Sequence, residues 1–495
     1  MSKEVESDRN CQDVEVNELF KKGLEYNVLF NNPACPGSVC SPPKSALEYW
    51  EISEKDAVVL RRLLSTSPSL RKLCVWNMPF SAFKIAFEDL EECSSLEELH
   101  LRAIECGEQD FGVKLCGVFS NLSLLDLHCG NVETAAASNI ATYLRGNKKL
   151  KEFSLWYSCG GDEGAAALIE ALKLNDTLKR FTLAQVKLSS ETMIAFAELL
   201  TVNSTLECVD IFDACFVEDD ETAASLEKYC NAGVFKRFRI VWTEKLLPLL
   251  TRLVREKACW PELSVSVTAS VNRDVLREFF DAVASDTSVT MLHFYPSDDA
   301  FDELADGIAS VVKRTTTLKR VQNLMFVKTG NEYQLVKVLD ALKENRSVTS
   351  FDMFVDVLTP GVATSLSELL AVNDVLNEVA VCQYWGITAD ILGTILRGLR
   401  KNYVVTKLMV SWDPDDDVEG VPEMEELLKR NVHLHEKAAE FVRAGGDAES
   451  DAEGADALKK VRTSANLVER VRGLTGKTSE AARELIQAAV SRLSG

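Results

Sequence analysis

The sequence predicts an α/β solenoid, with parallel strands along one side and helices along the other, and three observations predict it. An apolar triplet at positions 1, 4 and 6 of a short segment recurs along most of the chain. Each triplet is followed by a stretch with apolar residues at i, i+3, i+4 and i+7, the signature of a helix with one buried face. The 495 residues exceed what a single hydrophobic core serves, a limit that a repeat array escapes because each unit buries its core only against its neighbours.

The plainest unit runs from Asn175 to Leu200, with Leu178, Phe181 and Leu183 as the triplet and a helical pattern over its second half. The first apolar residues of successive units are Leu70, Leu96, Leu122, Leu150, Leu178, Leu206, Phe235, Trp260, Val289, Leu318, Val348, Leu376 and Val405. They are 25 to 30 residues apart, the period of a stacked strand–helix unit. From about 212 to 300 the pattern is more degenerate, with Phe235, Trp260 and Val289 in place of Leu, and the register there is open by a residue or more.

Side chains alternate along a strand, so positions 4 and 6 share one face and meet the apolar stripe of the following helix. A helix between each pair of strands makes the strands parallel, with right-handed crossovers. Strands then line the inner wall and helices the outer wall. Asparagines recur three residues before the triplet (Asn175, Asn203, Asn345), where a left-handed turn residue between helix and strand is expected.

The stretch Gly161–Leu183 resembles the ribonuclease-inhibitor class of leucine-rich repeat, found in ribonuclease inhibitor, in the repeat domains of NLR immune receptors and in the Ran GTPase-activating protein. The resemblance covers about residues 69–434 and is strongest over 147–211; the style of the chain is also similar to arthropod proteins described as NLR-family-like, without a nucleotide-binding domain. It implies a leucine-rich-repeat horseshoe with a parallel inner sheet, outer helices and helical caps. It also implies a non-catalytic protein–protein recognition scaffold, in innate-immune or regulatory signalling. Two alternatives are a GTPase-activating protein of the Ran type and a substrate-recruiting subunit of a ubiquitin ligase. The second would need an N-terminal helix cluster for which 46–68 is too short.

Four segments follow. Residues 1–45, polar and then rich in Asn, Pro, Cys and Ser, read as a partly disordered lead-in. Residues 46–68 read as an N-terminal cap, residues 69–434 as a solenoid of about thirteen repeats, and residues 435–495 as a helical cap or tail with an acidic linker. In that tail Gly445 and Gly446 end one helix, and two amphipathic helices are expected near 456–472 and 478–493, the last one N-capped by Thr478.

Charge and motifs exclude more than they assign. The net charge of −21, from 55 basic and 76 acidic residues, disfavours nucleic acid and anionic membranes and favours a basic protein partner. No apolar run approaches a membrane span, no signal peptide opens the chain, and the 14 cysteines form no metal-ligand pairs; a cytoplasmic protein with reduced thiols is expected. Gly473–Thr478 is Walker-like, but it has Val471 where a P-loop needs glycine and helical sequence on both sides. His433 and His435 lack helical ligand spacing. The sequons at Asn121, Asn175, Asn203 and Asn345 are by-products of the repeat consensus. No catalytic, cofactor-binding or metal-binding residue is expected, the one enzymatic alternative being Arg102 as an arginine finger.

Positions 5 and 7 point away from the core, into the concave side. Position 5 carries His100, Asp126, Asp210 and Asp352; position 7 carries Trp76, Arg102, His128, Trp156, Phe212, Tyr295 and Phe354; Trp242 and Trp412 stand one place further on. Large aromatics on a solvent-facing row are enriched at interface hot spots, and these thirteen residues are the expected partner-binding face. The structural alternative is that they pack on one another and complete the core.

Overall fold

The computed structural model describes residues 46–66, 70–87, 95–105, 121–130, 132–212, 215–217, 221–268, 270–296, 301–327, 332–383, 386–411, 419–447 and 449–493. The expected lead-in, 1–45, lies outside them, as does Trp412. The chain divides into two compact units, one comprising residues up to Val241 with Ala258–Trp260, the other Trp242–Lys257 with the residues from Pro261 onward.

In the first unit strands and helices alternate: β1 (Ala46–Glu51), α1 (Glu54–Thr66), β2 (Lys72–Asn77), α2 (Phe80–Phe87), β3 (Glu98–Glu105), β4 (Leu124–Gly130), α3 (Thr134–Gly146), β5 (Glu152–Trp156), α4 (Gly161–Leu174), β6 (Arg180–Ala184), β7 (Lys187–Ser189), α5 (Ser190–Val202), β8 (Cys208–Phe212), β9 (Cys215–Val217), α6 (Thr222–Glu227) and β10 (Phe238–Trp242). The order β1-β2-β3-β4-β5-β6-β8-β10 forms one parallel sheet, and β7 pairs with β9 separately. Each strand pairs with the next in the register set by the repeat spacing. Position 4 faces position 4 from Leu73 through Leu99, Leu125, Phe153, Phe181 and Val209 to Phe238. All seven are buried, and each contributes on the order of 2 kcal/mol by leaving water. The expected cap is itself a strand and helix of the same plan, with Leu47 beside Leu73.

Helices pack tightly behind the sheet. A Cβ at Gly164 in α4 would lie 1.8 Å from the Cys159 carbonyl oxygen and 2.9 Å from Ala137 Cβ of α3, so only glycine lets the two helices approach this closely.

The second unit continues the plan: α7 (Leu247–Arg255), β11 (Glu262–Val267), α8 (Arg273–Ser285), β12 (Met291–Pro296), α9 (Phe301–Arg314), β13 (Arg320–Val327), α10 (Glu332–Glu344), β14 (Ser350–Val355), α11 (Pro360–Val372), β15 (Glu378–Gln383), α12 (Ala389–Leu399), β16 (Lys407–Val410), then α13 (Val421–Arg443), α14 (Ala452–Val461), α15 (Ala465–Thr475) and α16 (Ser479–Arg492). Strands β11 to β16 form a parallel sheet in chain order, and Leu263, Leu292, Val321, Phe351, Val379 and Leu408 again align. The register left open at 212–300 is therefore the one that the starts Phe235, Trp260 and Val289 imply. Both units are repeats of one strand–helix plan, α/β with the helices on one side of a parallel sheet. No described helix is long and apolar enough to cross a membrane.

The recurring asparagines work differently from the expected left-handed turn. Asn175 and Asn203 are extended, at φ −82° and −94°, and buried. The amide of Asn175 donates to the Leu144 carbonyl at 2.6 Å, while its side-chain oxygen accepts from the backbone N–H groups of Thr177 and Leu178. Asn203 repeats this one unit later, donating to Leu172 and Asn175, and Asn345, Asn373 and Asn402 do so in the second unit. Each amide thus ties the end of one helix to the start of the next strand, satisfying carbonyls that a helix end leaves orphaned. Arginine takes the same place at Arg237, which donates to Leu200, Asn203 and Leu206, and at Arg430, which donates to Leu399 and Asn402.

The C-terminal segment also departs from expectation. α13 runs through the boundary placed at 434, and the helix expected over 456–472 is two, broken at Ser464, which caps α15 through the Asn466 N–H. The last helix is as read: the Thr478 hydroxyl accepts from the Ala481 N–H. Gly445 and Gly446 both take positive φ where α13 ends. The four helices share a core that includes Phe441, Leu458, Leu467 and Ile486. They dock on the sheet through Asn377, which donates to the Ser464 hydroxyl at 2.8 Å, and through Asn466, which donates to the Thr406 hydroxyl at 2.6 Å.

Candidate functional site

Strand alternation turns positions 5 and 7 of the first unit away from the helices, and the structure gathers them into one connected row. Parallel register sets His128, Trp156, Ala184 and Phe212 side by side at position 7, one per strand, and aligns His100 with Asp126, and through Ser154 and Thr182 with Asp210, at position 5. Trp76 and Arg102 hold position 7 of β2 and β3, and the β3–β4 register shifts after Leu101. The Arg102 guanidinium lies over the Trp76 ring at 4.1 Å. The His128 ring stacks on Trp156 at 4.6 Å with an interplanar angle of 15°. Tyr157, exposed and at positive φ, adds an edge to His128 at 5.9 Å.

Asp126 is the electrostatic centre of the row. It is only 7% exposed; His100 Nδ1 lies 3.2 Å from one carboxylate oxygen, and Arg102 3.7 Å from the same oxygen. His128 Nε2 stands 3.3 Å from the other oxygen, a close approach without good hydrogen-bond alignment. Burial by itself would raise the Asp126 pKa, but the His100 hydrogen bond and the close approach of His128 hold it well below the usual carboxylate range. Three strands further along the sheet, Asp210 accepts from Arg239 at 3.2 Å. The carboxylates that were expected to offer negative charge are thus already engaged by cations of the neighbouring strand.

Among the described residues, Trp156 Nε1, His100 Nε2 and Arg102 Nε are buried without a hydrogen-bond partner. Unsatisfied buried polar atoms are uncommon, and two of these three, on His100 and Arg102, belong to residues that flank Asp126.

Trp242 corrects the expectation. It is 3% exposed, because position 8 has the same parity as positions 4 and 6 and turns toward the helices. Trp412, the other position-8 residue, lies outside the described residues.

In the second unit the row is sparser. His293, 5% exposed, stacks on Tyr295 at 4.3 Å. Asp352 and Phe354 are half-buried on β14; burial raises the Asp352 pKa, the nearby Glu378 adds to it, and Lys407 and Arg320 pull the other way. Among the described residues no group of three or more His, Cys, Asp or Glu is arranged to hold a metal ion. The Walker-like segment holds the end of α15 at Gly476 and the cap of α16 at Thr478. The amides of Asn175, Asn203 and Asn345 are buried in hydrogen bonds, so these sequons present no acceptor.

Sequence parity found the row, and it places Arg239 at position 5 on the same side, but it missed two members that carry the geometry: Ala184 had no aromatic or acidic signal, and Tyr157 lies beyond the strand.

No family model matches the chain. Over 154 residues it is 28% identical to the mouse NACHT, LRR and PYD domains-containing protein 4B, a match covering 30% of this chain and 18% of that protein. The chain therefore spans under a fifth of that relative's length. Among solved structures it is similar to the yeast Rad7 and Elc1 complex (TM-score 0.41, 14% identity, 77% of this chain and 91% of that one). It is also similar to the TLR13–ssRNA13 complex (TM-score 0.27, 12% identity, 70% and 40%).

Proposed function

We propose that this chain is a non-catalytic, cytoplasmic protein–protein recognition scaffold that binds its partner on the helix-free face of the first unit's sheet. The observation that carries this reading is the row Trp76–Arg102, His128–Trp156–Phe212, held from beneath by Asp126. Rigid aromatic and guanidinium groups fixed by their neighbours lose little entropy on binding and supply hot-spot contacts. The half-buried rings of Trp76, Trp156 and Phe212 beside the Arg102 guanidinium suit a partner presenting a flat apolar group. The net charge of −21 favours a partner that is basic overall, by long-range attraction, while contact on this row is made through the aromatics and the guanidinium.

The ribonuclease-inhibitor type of repeat, and a role in innate-immune or regulatory signalling, are supported by the repeat period and by the match to a relative whose name includes an LRR domain. Recognition is favoured over GTPase activation because the Arg102 guanidinium is packed on Trp76 and faces Asp126 instead of projecting from a loop.

The test is affinity capture on the full chain, comparing the native protein with a Trp76→Ala/Trp156→Ala/Phe212→Ala variant. Partners captured by the native protein are expected to be lost from the variant. Recovery of the same partners at unchanged yield would overturn the assignment of this face.

A further inference from the structure

The second unit holds a cavity of about 850 Å³ between the N-terminal ends of β13, β14 and β15 and the helices α15 and α16. Its walls carry Lys319, Arg320, Arg346, Arg462 and Arg483, against two acidic residues, Glu378 and Glu469. That is five cations to two anions in a chain with 55 basic and 76 acidic residues overall, so the cleft is a local reversal of sign.

The two carboxylates offset only part of it: Glu469 is paired with Arg472 at 2.7 Å, and Glu378, which accepts from the neutral Ser350 hydroxyl at 3.4 Å, keeps its single negative charge. Arg346 is engaged by Asp374 and by the Lys343 and Asn345 carbonyls. Lys319 reaches only the Ser347 carbonyl, at 3.3 Å, and Arg462 and Arg483 have neither ion pair nor hydrogen bond among the described residues. Burial lowers the Lys319 pKa, and the like charge of Arg483 lowers it further, so the two cations repel one another across the cleft. Docking of the C-terminal helices brings these charges together, since Arg462 and Arg483 come from the helical segment and Lys319 from the start of a strand.

The cavity is far larger than one small oxyanion needs, since a single water requires only about 10–15 Å³ of such space. Val375, Val468, Ile486 and Val490 add apolar lining between the charges. We propose that this cleft is a binding site for an acidic peptide segment of a partner protein, with carboxylates on Arg462, Arg483 and Lys319 and an apolar side chain seated among the valines and Ile486. Guanidinium groups suit carboxylates because both are planar and pair through two parallel hydrogen bonds. The acidic surface elsewhere confines the attraction to the cleft.

This site uses a different unit and different residues from the aromatic row, so the two stand or fall separately. The experiment is selection of a randomised peptide library on the full chain, followed by fluorescence anisotropy with the recovered peptides. Recovered sequences are expected to be enriched in Asp and Glu around an apolar residue. Their affinity is expected to fall about tenfold or more in an Arg462→Glu/Arg483→Glu variant and with rising salt, and to stay unchanged in Trp156→Ala. Both arginines are exposed, so the variant should keep the native melting temperature; if it does not, Arg462→Gln alone is expected to give a smaller loss in the same direction. Peptides without acidic enrichment, or equal binding to native and variant chains, would overturn the proposal. Displacement of the peptides by an equal concentration of inorganic phosphate would overturn the peptide assignment, because the site would then answer to any oxyanion.

Discussion

The indole of Trp156 meets the ring of Phe212 edge-on at 6.1 Å, across an intervening strand, because the residue in register between them on β6 is Ala184. A larger side chain at 184 would stand where the two rings meet. Ala184 is fully buried beneath them, which makes a small residue part of an aromatic contact.

Ala184→Leu is expected to separate the two rings and to destabilise the first unit by about 1–3 kcal/mol through overpacking. Near-ultraviolet circular dichroism reports the tryptophan environment and chemical denaturation the stability. An unchanged aromatic signal would show that the rings do not depend on that gap.

Asp126→Asn leaves His100, Arg102 and His128 around an uncharged amide and is expected to cost about 2 kcal/mol at neutral pH. The sign of the pH dependence follows from the lowered folded pKa. The stabilisation is full above the unfolded value of about 3.9 and is lost as pH falls through the lower folded value. The difference between native and variant stability should therefore shrink as pH falls below about 3.9. A gap that widens below that pH would contradict this account.

Asn203→Ala removes an amide that serves four backbone groups: the carbonyls of Leu172 and Asn175 and the N–H groups of Thr205 and Leu206. Stranding these buried groups is expected to cost at least about 3 kcal/mol. Hydrogen exchange at Thr205 and Leu206 should accelerate well before exchange in β3 changes. Uniform acceleration throughout the first unit would instead indicate that the asparagine acts on global stability alone.

His435 is fully buried, with its ring nitrogens 2.7 Å from the Asn431 carbonyl and 2.7 Å from the Ser464 hydroxyl. Burial lowers its pKa to about 4, Arg470 assisting and the Asn431 carbonyl opposing. Because the folded value lies below the unfolded 6.5, its contribution is full above pH 6.5 and is lost as pH falls from there toward 4, by about 3 kcal/mol in total. Exchange in α15 should rise over that window in the native chain and less in His435→Gln. Equal acid sensitivity of the two chains would exclude His435 as its source.

The repeat was legible because its signal is local. Strand alternation and the helical stripe depend on residues a few positions apart, so spacing alone determined that the fold is α/β with parallel strands and which residues lie on the core face. The register across 212–300, open in the sequence, was decided by the structure, which pairs Phe238 with Val209 and Leu263 with Leu292. The same parity argument, carried through to position 8, would have placed Trp242 inside.

The tertiary structure decided everything that depends on neighbours one repeat or more away. The asparagines were read as turn residues because their partners, such as Leu144 for Asn175, stand 31 positions earlier. The charge on the aromatic row was read as negative because the His100 and His128 contacts to Asp126 come from register and neighbouring side chains, not from composition. The cationic cleft was invisible because Lys319, Arg462 and Arg483 are distant in sequence and meet only when the C-terminal helices dock. Periodicity specifies which face a side chain occupies; what it meets on that face is settled by packing between units that the sequence separates by a full turn of the repeat or more.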